Sequence, residues 1–181
     1  MQCSDDAFPD NARKLFAADP IERAKQRISI DQICKKMIKP FYQILQFQDE
    51  HKEEREEAVK NYFAELSSFV EKMDADGPFF NGQSASAVDF VSLPWATRMF
   101  LLKHYRGIEY EQCFVSKETL RRYEQWYKAC SSLDAVVATQ QSPGMAHSEY
   151  SQELIKKYKR YATNTAKTMV ADAVNKGTAM P

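Results

Sequence analysis

Apolar positions along this chain recur at spacings of three and four residues, and stretches in which apolar and polar residues alternate are hard to find. That is the periodicity of helices buried along one face, whereas strands repeat every second residue. The pattern predicts an all-α fold. The first long helix has a clear start: Asp19 as N-cap, Pro20 at the first helical position where its missing N–H costs nothing, and Glu22 closing a capping box. Ile30, Ile33, Cys34, Met37, Ile38, Phe41, Ile44 and Leu45 then trace one wide apolar stripe, and Pro40 is expected to kink the helix by deleting a backbone hydrogen bond.

The charged run Glu50 to Glu57 reads as the solvated start of a second helix, which buries Val59, Tyr62, Phe63, Leu66, Phe69, Val70 and Met73 and stops at Asp76, Gly77 and Pro78. Asn81-Gly82 is a hairpin signal, but no alternating strands flank it, so Phe79 to Gly82 reads as a helix-to-helix turn. Ser86 and Asp89 are spaced as a capping box opening a third helix through Val91, Leu93, Trp95, Met99 and Leu102, with Pro94 inside it. A helix that keeps an internal proline needs an apolar surround, so this one is expected at the centre of the bundle.

Ser116 is placed to cap a fourth helix carrying Leu120, Tyr123, Trp126, Tyr127 and Cys130, and a short helix with Leu133, Val136 and Val137 follows. A break is expected at Ser142, Pro143 and Gly144, before a last amphipathic helix from His147 to about Tyr161 and a tail. Domain boundaries follow: 1–18 as linker, 19–160 as the helical domain, 161–181 as tail.

Composition narrows the function. With 181 residues and 44% hydrophobic content, the chain can bury a core without staples. Lys plus Arg and Asp plus Glu each number 25, which removes any global pull toward nucleic acid or an anionic membrane surface. The absence of a long apolar run and of a basic-then-apolar start predicts a soluble, cytoplasmic protein without membrane contact. Cys3, Cys34, Cys113 and Cys130 are scattered as in a reducing compartment, with Cys34 and Cys130 in apolar helical surroundings as inert core thiols.

His51, His104 and His147 lie far apart and form no metal-ligand spacing, so no metal site is expected. No nucleophile-elbow, P-loop or dinucleotide motif is present, and five glycines cannot build a phosphate cradle elsewhere. Lys156, Lys157, Lys159 and Arg160, interleaved with apolar positions, read as a solvated helix face. What remains is Trp95 and Arg98, three apart on the central helix. They read either as an aromatic wall with a fixed positive charge or as a core tryptophan beside a structural ion pair.

The run Phe79-Phe80-Asn81-Gly82-Gln83-Ser84-Ala85-Ser86-Ala87-Val88-Asp89-Phe90 resembles the glutathione transferase segment in which an aromatic pair and a glycine precede a Ser/Thr-x-x-Asp capping box. Leu93-Pro94-Trp95-Ala96-Thr97-Arg98 is similar to the Trp-Pro-Trp-x-x-Arg run of omega-class members, with Leu93 in place of the first tryptophan. Leu15 to Pro20 resembles the linker into that family's C-terminal domain, and Ala135 to Thr139 resembles its "val-x-ala-thr" run, so the likeness spans about residues 6 to 160.

The resemblance implies an all-helical bundle of the glutathione transferase C-terminal domain type, of about five to seven helices with a C-terminal extension. Ser86 and Asp89 would be its structural capping box; Trp95, Arg98 and Tyr150 would line a pocket for a hydrophobic or thiol-reactive small molecule. Asp5 to Asp10 looks like the close of a thioredoxin-like domain, and neither the Cys-Pro nucleophile motif nor the Glu-Ser pair that holds glutathione is found in this chain. The expectation is therefore a substrate-binding half with no catalytic residue of its own. Glutathione would be used by the complete protein and not bound by this chain alone, and pairing as a homodimer would run through the first two helices. The competing expectation is a non-catalytic interaction module of the same fold, which calls for an exposed apolar patch instead of a pocket.

Overall fold

A computed structural model describes residues 14–140 and 147–181. Its elements run α1 (Pro20–Lys36), α2 (Ile38–Gln46), α3 (Lys52–Glu71), α4 (Ala87–Thr97), α5 (Phe100–Arg106), α6 (Lys117–Ser131), α7 (Asp134–Gln140), α8 (His147–Ala162) and α9 (Met169–Asn175). Among the described residues there is no strand, only an isolated bridge between Phe79 and Gly82. The expected break at Ser142 to Gly144 lies outside them.

The first rod is broken, not kinked. Pro40 has no N–H and its ring crowds the carbonyl four residues back, which belongs to Lys36, the last residue of α1. The chain resets at Met37, which serves α1 as C-cap and α2 as N-cap. Asp19 caps α1 as expected, its Oδ1 accepting from the N–H groups of Ile21 and Glu22 at 3.0 and 2.9 Å. Glu22, however, turns to Lys25 at 2.7 Å instead of closing a capping box, because a lysine one turn on is a nearer cationic partner.

The central rod breaks in the same manner. α4 ends at Thr97, and Arg98 and Met99 donate to the carbonyls three residues back before α5 resumes at Phe100. Counted as rods, with α1–α2 and α4–α5 each one interrupted rod, the described helices number seven. Their shared core centres on Phe41, Ile44, Leu45, Tyr62, Val88, Leu101, Leu102 and Trp126, all at most 1% exposed. α2 packs on α3, α8 and α9, while α4 is held between α1 and α6.

At the start of α4 the sequence forms a small polar hub. Asp89, fully buried, accepts from the Ser86 N–H and hydroxyl, the Phe80 N–H and the Trp126 indole N–H, each at 2.8 Å. Asn81-Gly82 does close a tight turn, with Phe79 and Gly82 exchanging backbone hydrogen bonds at 3.1 and 3.4 Å and Gly82 at φ +105°. A residue without any motif signature completes the hub: Gln26, 4% exposed on α1, accepts from the Ala17 N–H and donates to Asn81.

The stretch 161–181, read as a tail from sequence, carries α9. Thr168 caps it, its hydroxyl accepting from the Ala171 N–H at 3.1 Å, and Ala171, Ala173 and Val174 are buried. The fully buried Gln46 on α2 donates to the Ala171 carbonyl and to Asn175, both at 3.2 Å. Its periodicity was masked because alanine, not a large apolar residue, forms the buried face.

Candidate functional site

Trp95 and Arg98 project from the last turn of α4 and its C-cap. Three residues apart, they share a helix face, and the guanidinium carbon of Arg98 sits 5.4 Å from the Trp95 ring centroid. The same guanidinium carbon lies 5.9 Å from the ring centroid of Tyr158 of α8, so the cation is within reach of two aromatic rings. Arg98 Nη1 donates to the Pro94 carbonyl at 2.7 Å. The Arg98 backbone N–H, which in an uninterrupted helix would serve that carbonyl, goes to Trp95 instead. Arg98 Nε is buried without an acceptor, and among the described residues no carboxylate pairs with this side chain.

The aromatic wall extends inward. Trp95 meets Phe41 and Tyr42 edge-on at 5.5 and 6.0 Å; Tyr42 stacks on Tyr158 at 6.3 Å and reaches Tyr161 at 4.9 Å. Burial, and then the neighbouring tyrosines Tyr158 and Tyr161, push the Tyr42 hydroxyl's pKa far up, with the Arg98 charge acting in the opposite sense. Tyr42 is thus a neutral part of the wall at any physiological pH. Neither Tyr42 nor Tyr158 carries a motif. Each is visible in the sequence only as one more apolar repeat.

Of the two readings the sequence left open for Trp95 and Arg98, the structural ion pair is absent among the described residues. The cation has two aromatic rings within 6 Å and a buried donor without an acceptor. A guanidinium in that state suits a carboxylate or another planar acceptor, which could be met by two parallel N–H groups.

Tyr150 is placed elsewhere. It lines a hollow of about 270 Å³ together with Ala96, Met99, Phe100, Tyr110, Tyr123 and Tyr127. The divergence follows from helical geometry: Ala96, Met99, Phe100 and Lys103 fall at three- and four-residue spacing and face the hollow, while Trp95 and Arg98 lie on the adjoining face toward α2 and α8. The structure therefore brings Trp95 and Arg98 together with Tyr158, and keeps Tyr150 apart from them. Ser86 and Asp89 form the capping box at the other end of α4.

The described cysteines have no activated thiol. Burial raises the pKa values of Cys34, Cys113 and Cys130, with Asp31, Glu111 and Asp89 respectively adding to it. Cys34 and Cys113 are half-buried, and Cys130 is 1% exposed. Among the described residues no group of His, Cys, Asp and Glu could hold a metal ion, and no helix is long and apolar enough to cross a membrane.

No protein-family model matches the sequence. The mouse glutathione S-transferase omega-1 is 26% identical over 148 residues, which are 81% of this chain and 55% of the mouse protein. Human glutathione S-transferase omega-2 is 32% identical over 97 residues, 52% of this chain and 38% of the human one. Among solved structures, glutathione transferase Omega 3C of Trametes versicolor superimposes with a TM-score of 0.68 at 26% identity, covering 88% of this chain and 62% of that one. The chain spans about half the length of the curated relatives it matches. Sequence and fold agree across the helical portion: the chain is similar to omega-class glutathione transferases there and has the all-helical fold of their C-terminal domain.

Proposed function

We propose that this chain is the substrate-binding half of an omega-like glutathione transferase, whose complete form carries out glutathione-dependent thiol transfer or reduction in the cytoplasm. One observation carries the reading: Arg98, close to both Trp95 and Tyr158, holds a buried, unpartnered N–H donor beside an aromatic wall. A hydrophobic or thiol-reactive small molecule with an acidic group fits that surface. Its apolar part meets Trp95 and Tyr158, and its carboxylate meets the guanidinium.

The described residues do not themselves suit glutathione. Its chemistry needs an activated thiol or hydroxyl and donors for two carboxylates, whereas burial makes these cysteines poor thiolates and Arg98 is a single cation. No thiol-exchange step is assigned to them; glutathione belongs to the complete protein. Pairing of two such chains through the first two rods, α1–α2 and α3, is part of the same proposal, supported by Ile21 and Ile28, seven apart on α1 and 67% and 58% exposed.

The test is glutathione-dependent reduction of a carboxylate-bearing disulfide and of a neutral one by the natural gene product with any upstream coding sequence. Arg98→Ala should raise KM for the acidic substrate about tenfold, the worth of one charge-assisted hydrogen bond, and leave the neutral substrate nearly unchanged. A natural product without glutathione-dependent turnover of either disulfide would sink the proposal.

A further inference from the structure

The Asn81-Gly82 pair, a turn signal in the sequence, has a chemistry of its own, apart from the arginine surface. In such a pair the glycine's backbone nitrogen can attack the asparagine's carboxamide carbon, because no Cβ on the glycine shields the approach. The bond from Gly82 N to Asn81 Cγ forms, the Cγ–Nδ2 bond breaks, and the Gly82 amide proton leaves with Nδ2 as ammonia. Water then opens the five-membered imide at either carbonyl, giving aspartate or isoaspartate. The net change is water in and ammonia out, with nothing oxidised or reduced.

The fold holds the reacting groups favourably. Asn81 is exposed, so water reaches it. Its Oδ1, where negative charge develops during the attack, accepts from Gln26 Nε2 at 3.2 Å and from the Ser86 hydroxyl at 3.1 Å, the latter shared with Asp89. Its Nδ2, the leaving group, makes no hydrogen bond among the described residues. The attacking nitrogen is loosely held as well: the Gly82 N–H reaches the Phe79 carbonyl at 3.4 Å, beyond the usual ~2.7–3.2 Å of such a bond. The other described asparagines lack this arrangement. Asn61 lies inside α3, and Asn164 and Asn175 precede threonine and lysine, whose side chains crowd the approach.

Both products disturb the hub at the start of α4. Aspartate would place a second carboxylate on the Ser86 hydroxyl that Asp89 already uses. Isoaspartate is the larger change, since the main chain then runs through the side chain of residue 81 and is one methylene longer. The turn has no slack for it. A Cβ built on Gly77 would lie 2.0 Å from the Gly82 backbone, and Phe80 is pinned by its N–H bond to Asp89 and by stacking on Phe69 at 5.0 Å.

We propose that Asn81 is a spontaneous modification site, a one-way timer whose conversion to aspartate and isoaspartate loosens the capping box that starts α4. Gln26, reaching over from α1, is its positioning residue. The timer does not depend on the transferase reading.

The experiment incubates the folded 181-residue chain at mildly alkaline pH and follows each asparagine-containing peptide by mass spectrometry. Methyl transfer from S-adenosylmethionine by a protein isoaspartyl methyltransferase counts the isoaspartate. The Asn81 peptide should convert at least tenfold faster than those containing Asn61, Asn164 or Asn175, and methyl acceptance should vanish in Asn81→Gln. Gln26→Met, which removes a donor to Oδ1, should slow conversion at least threefold in the folded chain and leave it unchanged in urea; simple loosening of the fold would speed it instead. Aged wild-type chain should exchange its amides faster across 79–90 than fresh chain, a comparison that requires no variant to fold. Conversion at Asn81 no faster than at the other asparagines, failure of Gln26→Met to slow it in the folded chain, or unchanged exchange across 79–90 after ageing would each overturn the proposal.

Discussion

The indole N–H of Trp126 donates to Asp89 Oδ1 at 2.8 Å, across 37 positions of sequence. This bond joins α6 to the start of α4, and the same carboxylate also holds the Phe80 and Ser86 N–H groups. Removing the acceptor leaves three buried N–H donors unserved, while the Ser86 hydroxyl keeps Asn81 Oδ1 as an acceptor. Asp89→Ala should therefore cost about 3–5 kcal/mol. Trp126→Phe removes one donor and keeps most of the packing, so its cost should be about 1–2 kcal/mol. Urea unfolding of the two variants checks the ranking, and an Asp89→Ala cost below that of Trp126→Phe would show that the carboxylate is not the organiser of this hub.

Gly77 and Gly82 look alike in sequence and are constrained in different ways. A Cβ on Gly77 would lie 2.0 Å from the backbone carbon and oxygen of Gly82, a contact that only backbone movement relieves. A Cβ on Gly82 would meet nothing closer than Asp74 at 3.7 Å, and the strain there comes from its φ of +105°. A non-glycine at positive φ costs roughly 1–3 kcal/mol. Gly77→Ala should exceed that and Gly82→Ala should fall within it, as measured by the shift in thermal midpoint of each variant. Equal shifts would argue against the close approach of the two backbones.

Much of this was legible because local rules and burial coincide. Asp19, Ser86 with Asp89, and Ser116 all cap the helices that their spacing indicates, and the stripe through Phe41, Ile44 and Leu45 is the core. What sequence did not reveal depends on three-dimensional neighbours. Gln26 and Gln46 are polar residues on apolar faces, and their buried roles follow from partners 55 and 125 positions away. α9 escaped notice because its buried face is built from small residues. At the site, the pairing of Trp95 with Arg98 was visible as a three-residue spacing, but Tyr158 comes from another helix. The separation of Tyr150 from them depends on which face of the broken central rod each residue takes.

Lys39 reaches the end of α9, its ammonium donating to the Gly177 and Thr178 carbonyls at 3.1 and 2.7 Å. A cation at a helix C-terminus stabilises by about 0.3–1 kcal/mol when exposed. Lys39→Met should accordingly leave the global unfolding midpoint almost unmoved while raising amide exchange across 169–175. Unchanged exchange in that segment would mean that the buried Ala171 and Val174 alone hold α9 in place.

Alkaline pH should loosen the whole core. Burial raises the pKa values of Tyr42, Tyr62, Tyr123 and Cys130 in the folded chain, with neighbouring tyrosines adding to it at Tyr42 and Tyr123 and Asp89 adding to it at Cys130. The unfolded chain releases these protons at the ordinary values, near 8.5 for a thiol and 10 for a phenol. Between those values and the raised folded ones, the unfolded state binds fewer protons than the native state, so stability falls as pH rises. The stabilising contribution is complete below about pH 8 and erodes through pH 9 to 11. Urea midpoints at pH 7.5 and pH 10.5 should therefore differ clearly, with Cys130→Ala losing less between the two than the wild-type chain because one of the four titrating groups is gone. A midpoint that holds steady over that interval would mean that these hydroxyls and the thiol are better hydrated than their burial indicates.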